Sequence, residues 1–209
     1  MPLEPEAFAA ACNVSRETLE HLRRYAETLL KWQKSINLVS AESAQDLWRR
    51  HMLDSAQLQV LLPPNTRTLV DMGSGAGFPG LVLAILGVPA VHLIETDARK
   101  CVFLAEAARV AGLAPGSNPI IHRARLEMVT DLQADAVTAR ACAPVGQLLA
   151  YAEPFLAPHS ICVFPKGGRV EEELTEAAKT WRMDLQRFPS LSDSSGTILR
   201  MRQVARAGL

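Results

Sequence analysis

Arg67-Thr-Leu-Val-Asp71-Met-Gly73-Ser-Gly75-Ala-Gly77-Phe78-Pro79-Gly80 is the stretch that decides the fold. RTLVDM reads as a short strand. Pro79 then opens an apolar helix that reaches Leu86, proline being well placed in a first helical turn. Between them lie four glycines in eight positions, which permit positive φ and let a ligand approach the backbone. The turn leaves the carboxyl end of a strand and opens a helix, which is where open α/β sheets bind ligands.

Outward from this turn the chain alternates. AVHLIE (90–95) is a second strand, and Asp97 to Val110 a helix closed by Gly112. NPIIHRA (118–124), ADAVTAR (134–140) and SICVFP (160–165) give three more strands, with helical stretches from Val145 to Ala152 and from Glu171 to Trp181. MDLQRF (183–188) and TILRMRQV (197–204) are too close together for a crossover helix, so one of them is predicted to run antiparallel. The class is α/β: a Rossmann-like, mostly parallel seven-stranded sheet with an antiparallel C-terminal strand.

The first sixty residues are helical in period instead. Ser15 caps a helix through Leu19, Leu22, Ala26 and Leu29, and a polar break spans Ser35 to Val39. Ser43, with Asp46 three residues on, is expected to cap a further helix through Leu47, Leu58 and Leu61. Pro63-Pro64-Asn65 ends it and is the one linker-like stretch. The expected division is a helical cap, 1–64, followed by a Rossmann-like unit, 65–209.

The 209 residues suit one ordinary α/β domain, and 48% apolar residues exclude wholesale disorder. A soluble cytoplasmic chain is expected. The N-terminus carries acids and no apolar h-region, and Gly87 and Pro89 break the most apolar run. Cys12, Cys101, Cys142 and Cys162 share no ligand spacing, which argues against a disulfide framework or structural zinc. Twenty-two basic residues balance 22 acidic ones, excluding a uniformly cationic surface but not a local basic face.

Two cofactors compete for the glycine loop. Gly75-x-Gly77-x-x-Gly80 matches the dinucleotide fingerprint, with Glu95 at the distance of a ribose-binding acid. Asp71 decides between them. A carboxylate at the mouth of the loop repels a pyrophosphate but accommodates the ammonium and sulfonium of S-adenosylmethionine, so D-x-G-x-G-x-G favours the methyl donor. Glu95, with Thr96 beside it, takes the ribose hydroxyls in either case. Leu126 is placed to pack on an adenine and Glu127 to meet its polar edge. Arg140 and Lys166 also end strands on this edge. His51 and Asp54 share a helical face, read either as a His–Asp hydrogen bond or as a wall of the substrate site. No third ligand accompanies them, so no metal is expected.

DMGSGAGFPG, the preceding RHMLDS, the RLE triplet, TARACAP and the PKGG turn occur in one order. Together they resemble the ribosomal small-subunit methyltransferase G family, also called glucose-inhibited division protein B, from about Leu29 to the final strand. The resemblance implies a class I methyltransferase fold and methyl transfer from S-adenosylmethionine to N7 of one guanosine in 16S rRNA, guanosine 527 in that RNA's numbering. It implies that Gly73, Phe78, Leu126, Glu127 and Arg140 contact the donor, and that loss alters streptomycin sensitivity. The family more often has Ala at position 126, and an ordinary apolar residue where Pro165 precedes Lys166. A monomer acting on 16S rRNA within the 30S subunit or an assembly intermediate is the expectation, with no membrane partner.

Guanine N7 carries an in-plane lone pair, so the reaction needs orientation rather than a general base. Arg140 is accordingly assigned to the donor carboxylate or an RNA phosphate. Arg50, Arg123, Lys166 and Arg200 are expected, with His51 and Asp54, to meet the substrate, the cations through phosphates. The rivals are a cytosine-C5 enzyme using Cys142, an NAD-dependent oxidoreductase and a non-enzymatic RNA-binding module.

Overall fold

The computed structural model describes residues 1–114, 116–140 and 143–208. Four helices precede the sheet: α1 (Pro5–Cys12), α2 (Arg16–Trp32), α3 (Ala41–Ala44) and α4 (Asp54–Ala56). Ser15 caps α2, its Oγ accepting the Thr18 N–H at 3.0 Å. The second cap differs from expectation. Ser40, not Ser43, accepts the Ser43 N–H, and α3 stops after one turn. Asp46 is diverted to the Leu3 N–H and Arg49. The long helix expected through Leu47 to Leu61 is instead a π-helix, Trp48–Leu53, followed by α4 and a 3-10 turn, Gln59–Leu61. π-turns widen the helix and recur at functional sites; this one carries Arg50 and His51.

The sheet follows: β1 (Thr68–Met72), α5 (Gly80–Ile85), β2 (Ala90–Glu95), α6 (Ala98–Val110), β3 (Ile120–Arg123), β4 (Ala134–Ala139), α7 (Val145–Ala152), β5 (Leu156–Lys166), α8 (Val170–Ala177), β6 (Trp181–Pro189) and β7 (Thr197–Arg206). Its order is β3-β2-β1-β4-β5-β7-β6. β7 is antiparallel to both its neighbours, the reversal that the short β6–β7 connection demands. Trp181, expected to end a helix, starts β6 instead; α8 stops at Ala177.

Strand side chains alternate between two apolar layers. Leu69, Val91, Leu93, Ala136, Ile161 and Val163 face α2, α5 and α6, where Tyr25, Phe103 and Leu104 are fully buried. Val70, Met72, Ile94, Val137, Cys162 and Phe164 face α7 and α8. The N-terminal helices thus share one continuous core with the sheet, each fully buried large side chain contributing about 1.5–3 kcal/mol. Among the described residues no helix is long and apolar enough to cross a membrane.

Candidate active site

Strand parity sets which way each polar residue at the carboxyl edge faces. Asp71 follows Leu69, Glu95 follows Leu93, and Arg140 lies two residues beyond Thr138, so all three point toward α5 and the N-terminal helices. Lys166 has the opposite parity and points toward α8.

Asp71 is not at the mouth of the glycine loop. It is fully buried beneath it, with Oδ2 accepting the Gly80 N–H at 3.1 Å. Burial pushes its carboxyl up to about 7, against the Ser74 and Gly80 hydrogen bonds and the charge of Arg140. Its Oδ1 has no partner among the described residues. The discrimination against diphosphate stands on a different geometry from the one expected. Asp71 occupies the first N–H of α5, and Glu95 Oε2 accepts the Gly75 N–H at 2.9 Å. The two loop donors that would cradle a pyrophosphate therefore already hold carboxylates.

The four glycines divide into two pairs. Gly73 and Gly75 have φ of +67° and +55° and turn bare backbone outward. Gly77 and Gly80 are packing residues. A Cβ at Gly77 would lie 2.9 Å from both Leu81 Cβ and Tyr25 Oη, and one at Gly80 would lie 2.7 Å from Asp71 Cβ. Tyr25 reinforces this closeness by donating its hydroxyl proton to the Ala76 carbonyl.

A cavity of about 230 Å³ opens beside the loop, lined by Gly73, Glu95, Thr96, Leu126, Glu127 and the ring of Tyr151. Glu95 is held rigidly, Oε1 accepting the Asp97 N–H at 2.8 Å and the Thr96 hydroxyl at 3.4 Å, while Oε2, which accepts the Gly75 N–H, retains a spare lone pair. Leu126 and Tyr151 offer flat apolar walls, Glu95 an acceptor for vicinal hydroxyls, and Gly73 an unobstructed backbone. These residues fit the adenosyl part of S-adenosylmethionine. Tyr151 was not legible as a site residue; the sequence places α7 but not the face it turns to the cavity.

Phe78 and Arg140 lie apart from that cavity. The Phe78 ring is buried against Tyr25 and stacked on His51, centroids 4.8 Å apart, with Arg140 Cζ 5.0 Å above it. Arg140 Nη2 donates to His51 Nδ1 at 2.6 Å, and Nη1 to the Arg50 carbonyl at 3.1 Å and to Asp54 Oδ2 at 3.4 Å. The expected His51–Asp54 hydrogen bond is absent, since both residues bond Arg140 instead. A guanidinium has only donors, so Nδ1 must accept and the His51 proton sits on Nε2. That N–H is buried without a partner among the described residues. Burial, then the charges of Arg140 and Arg50, drive the His51 pKa down to about 3.

Arg50, His51, Asp54, Arg140 and Lys166 line a second cavity, of about 470 Å³. Neither Arg50 nor Lys166 is a free cation. Arg50 pairs with Asp193 at 2.9 Å, and Lys166 is buried against Glu173 at 2.6 Å and the Ala143 carbonyl at 2.9 Å. Asp193, Glu173 and Ser192 are further wall residues that the sequence did not single out. Arg123 and Arg200 are not brought here. Arg123 lines a separate cavity at the β3 edge, and Arg200 donates to Gln186 across β6 and β7. Cys142 lies outside the described residues. Burial raises the Cys12 and Cys162 thiols to about 11 and about 12, so neither is primed as a nucleophile.

Asp71 and His51 give stability opposite slopes with pH. From pH 3.8 to 7 the folded chain keeps the Asp71 proton that the unfolded chain loses, so this group lowers stability as pH rises. From 6.5 down to 3 the unfolded chain protonates His51 and the folded chain does not, so stability falls with acid. Asp71→Asn keeps an acceptor for Gly80. It is expected to be more stable than the parent by a margin that grows from pH 4 to a plateau of about 2–4 kcal/mol above pH 7. Urea midpoints at pH 4 and pH 8 measure it; an equal margin at both would remove Asp71 as the cause.

The family model for rRNA small subunit methyltransferase G matches residues 18–198. Ribosomal RNA small subunit methyltransferase G of Rhodospirillum rubrum is 54% identical over 205 residues, covering 98% of this chain and 100% of the relative. Among solved structures, ribosomal protein L11 methylase of Lactobacillus delbrueckii subsp. bulgaricus superposes with a TM-score of 0.55 at 17% identity, covering 73% of this chain and 78% of that one. M. jannaschii TYW2 in complex with AdoMet gives 0.56 at 18%, covering 83% and 80%. The fold is that of class I S-adenosylmethionine-dependent methyltransferases, and by sequence over nearly its whole length the chain belongs to the rRNA small subunit methyltransferase G family.

Proposed function

We propose that this protein transfers the methyl group of S-adenosylmethionine to N7 of guanosine 527 of 16S rRNA, acting in the cytoplasm as a monomer on the 30S subunit or an assembly intermediate. The observation that carries the reading is the pairing of two cavities. One, beside Gly73 and Glu95, suits an adenosyl group; the other, beside Arg140, is large enough for a purine nucleotide. Family membership supplies the RNA.

Bound in the first cavity, S-adenosylmethionine supplies an electrophilic methyl group on a sulfonium. Glu95 would hold the ribose hydroxyls, Leu126 and Tyr151 the adenine faces, and the Gly73 backbone the approach to the donor chain. Guanine N7 is already a nucleophile, so no residue has to take a proton. The protein orients the base and excludes water, which is where most of the rate of such a transfer comes from. Arg140 is committed to His51, Asp54 and the Arg50 carbonyl. It therefore acts first by fixing the wall of the second cavity, joining the end of β4 to the π-helix.

Mapping N7-methylguanosine in 16S rRNA from cells with and without the gene tests the assignment. Loss of the mark at one guanosine, restored by the gene, is the expected result; an unchanged mark overturns it. Calorimetry separates the cofactors: S-adenosylmethionine is expected to bind, whereas indifference to it together with tight NADH binding would favour the oxidoreductase.

A further inference from the structure

The 470 Å³ cavity contains three carboxylates, and their hydrogen bonds distinguish them. Asp54 is committed on both oxygens: Oδ1 accepts from Ser192 at 2.6 Å and Gln57 at 3.1 Å, Oδ2 from Arg140. Asp193 is committed too, Oδ1 to Ser195 and Oδ2 to Arg50. Glu173 differs. Its Oε2 takes both the Lys166 ammonium, at 2.6 Å, and the Val145 N–H, at 3.0 Å, while its Oε1 accepts nothing from the described residues. One oxygen is thus braced from two sides, and the other is a fixed acceptor in the cavity wall.

We infer that Glu173 Oε1 reads the Watson–Crick edge of the target purine, accepting hydrogen bonds from guanine N1–H and the N2 amino group. This rests on the N7-guanosine reading above. Guanine presents adjacent donors on that edge, whereas adenine presents the N1 lone pair, which a carboxylate repels. N7 lies on the opposite side of the purine. A base gripped at α8, over the end of β5, therefore turns N7 toward the ends of β4 and β1, the next two strands of the sheet. Glu173 touches the substrate in this account, and Lys166 is a positioning residue that acts through it.

The brace makes Glu173→Gln an informative substitution. Lys166 Nζ and Val145 N–H are both donors, so they draw the amide oxygen into the braced position and leave the NH₂ facing the base. Acceptor becomes donor at the one point that meets N1–H and N2–H. The wild type is expected to lose about 10-fold in kcat/KM when inosine, which lacks the N2 amino group, replaces the target guanosine in ligated 16S rRNA assembled into 30S particles. Glu173→Gln is expected to lose about 100-fold on guanosine, with its guanosine-to-inosine ratio collapsing to near one. The urea midpoint and S-adenosylmethionine affinity check that the variant is folded; should it fail to fold, Lys166→Met, which frees the Glu173 side chain to move, is expected to lower the same ratio. A ratio unchanged in the variant, or a wild type indifferent to inosine, overturns the inference while N7 methylation itself persists. A wild type that makes no N7-methylguanosine fails at the underlying reading, and the inference falls with it.

Discussion

Gly80→Ala is expected to destabilise the protein by about 3 kcal/mol, lowering Tm by about 6–12 °C. The new Cβ would overlap Leu93 Cδ2 and lie 2.7 Å from both Cβ and Oδ2 of Asp71. Leu93 and Asp71 sit on adjacent paired strands and are fully buried, so the overlap is relieved only by moving α5 off the sheet. That movement would stretch the Asp71–Gly80 hydrogen bond and carry the glycine loop with it, so S-adenosylmethionine affinity should fall alongside stability. Gly168→Ala is the control. It has open space around the added methyl group and no positive φ, so its urea midpoint should stay within about 0.5 kcal/mol of the parent. Equal stability of the two variants would show that close packing is not why position 80 is glycine.

Arg140→Met removes the group that joins the end of β4 to the π-helix. His51 Nδ1, the Arg50 carbonyl and Asp54 Oδ2 each lose a donor at once. A fully buried pair broken on one side costs about 3–5 kcal/mol; with the Arg140 side chain 18% exposed, about 2–3 kcal/mol is expected. Transfer to RNA should fall by about 10²-fold, because the wall of the 470 Å³ cavity that Arg140 holds would lose its register. Arg140→Lys should recover less than half of either quantity, since one ammonium cannot span three separated acceptors. The acid sensitivity contributed by His51 should also weaken, as the Arg140 charge is the largest electrostatic cause of its lowered pKa. A variant with parental Tm, parental donor affinity and parental RNA affinity would remove every role assigned to this residue.

Local chemistry was enough to read the α/β alternation, because apolar strands of period two and helices with Ser, Asp and Pro starts follow from a few neighbouring residues. Ser15 caps the helix it was read to cap, and Asp97, read as the start of a helix, is the cap of α6. The Ser43 cap failed for a tertiary reason: Asp46 is drawn 43 residues back, to the Leu3 N–H, and cannot close a capping box. The π-helix failed likewise, since nothing in Trp-Arg-Arg-His-Met-Leu distinguishes an i+5 turn from an i+4 turn until Arg140 and Asp193 hold Arg50 and His51 in place.

The candidate site divides along the same line. Which residues stand at the carboxyl ends of the strands is a matter of chain order, and Asp71, Glu95, Arg140 and Lys166 were all visible there. Their parity was not drawn from the sequence; the faces the strands bury set Lys166 apart from the other three. What each side chain meets was not visible either, because that depends on helices distant in sequence. Tyr25 and the π-helix cover Asp71, Phe78 and Arg140, and α8 brings Glu173 to Lys166. Sequence alone thus determined the strand order's raw material, the glycine loop and the family. Only the tertiary structure decided that Asp71 lies beneath the loop, that Arg50 and Lys166 are already paired, and that Glu173 Oε1 accepts nothing from the described residues. The physical reason is that backbone propensity acts over a few residues, whereas burial and hydrogen-bond commitment are settled by whichever distant element packs on top.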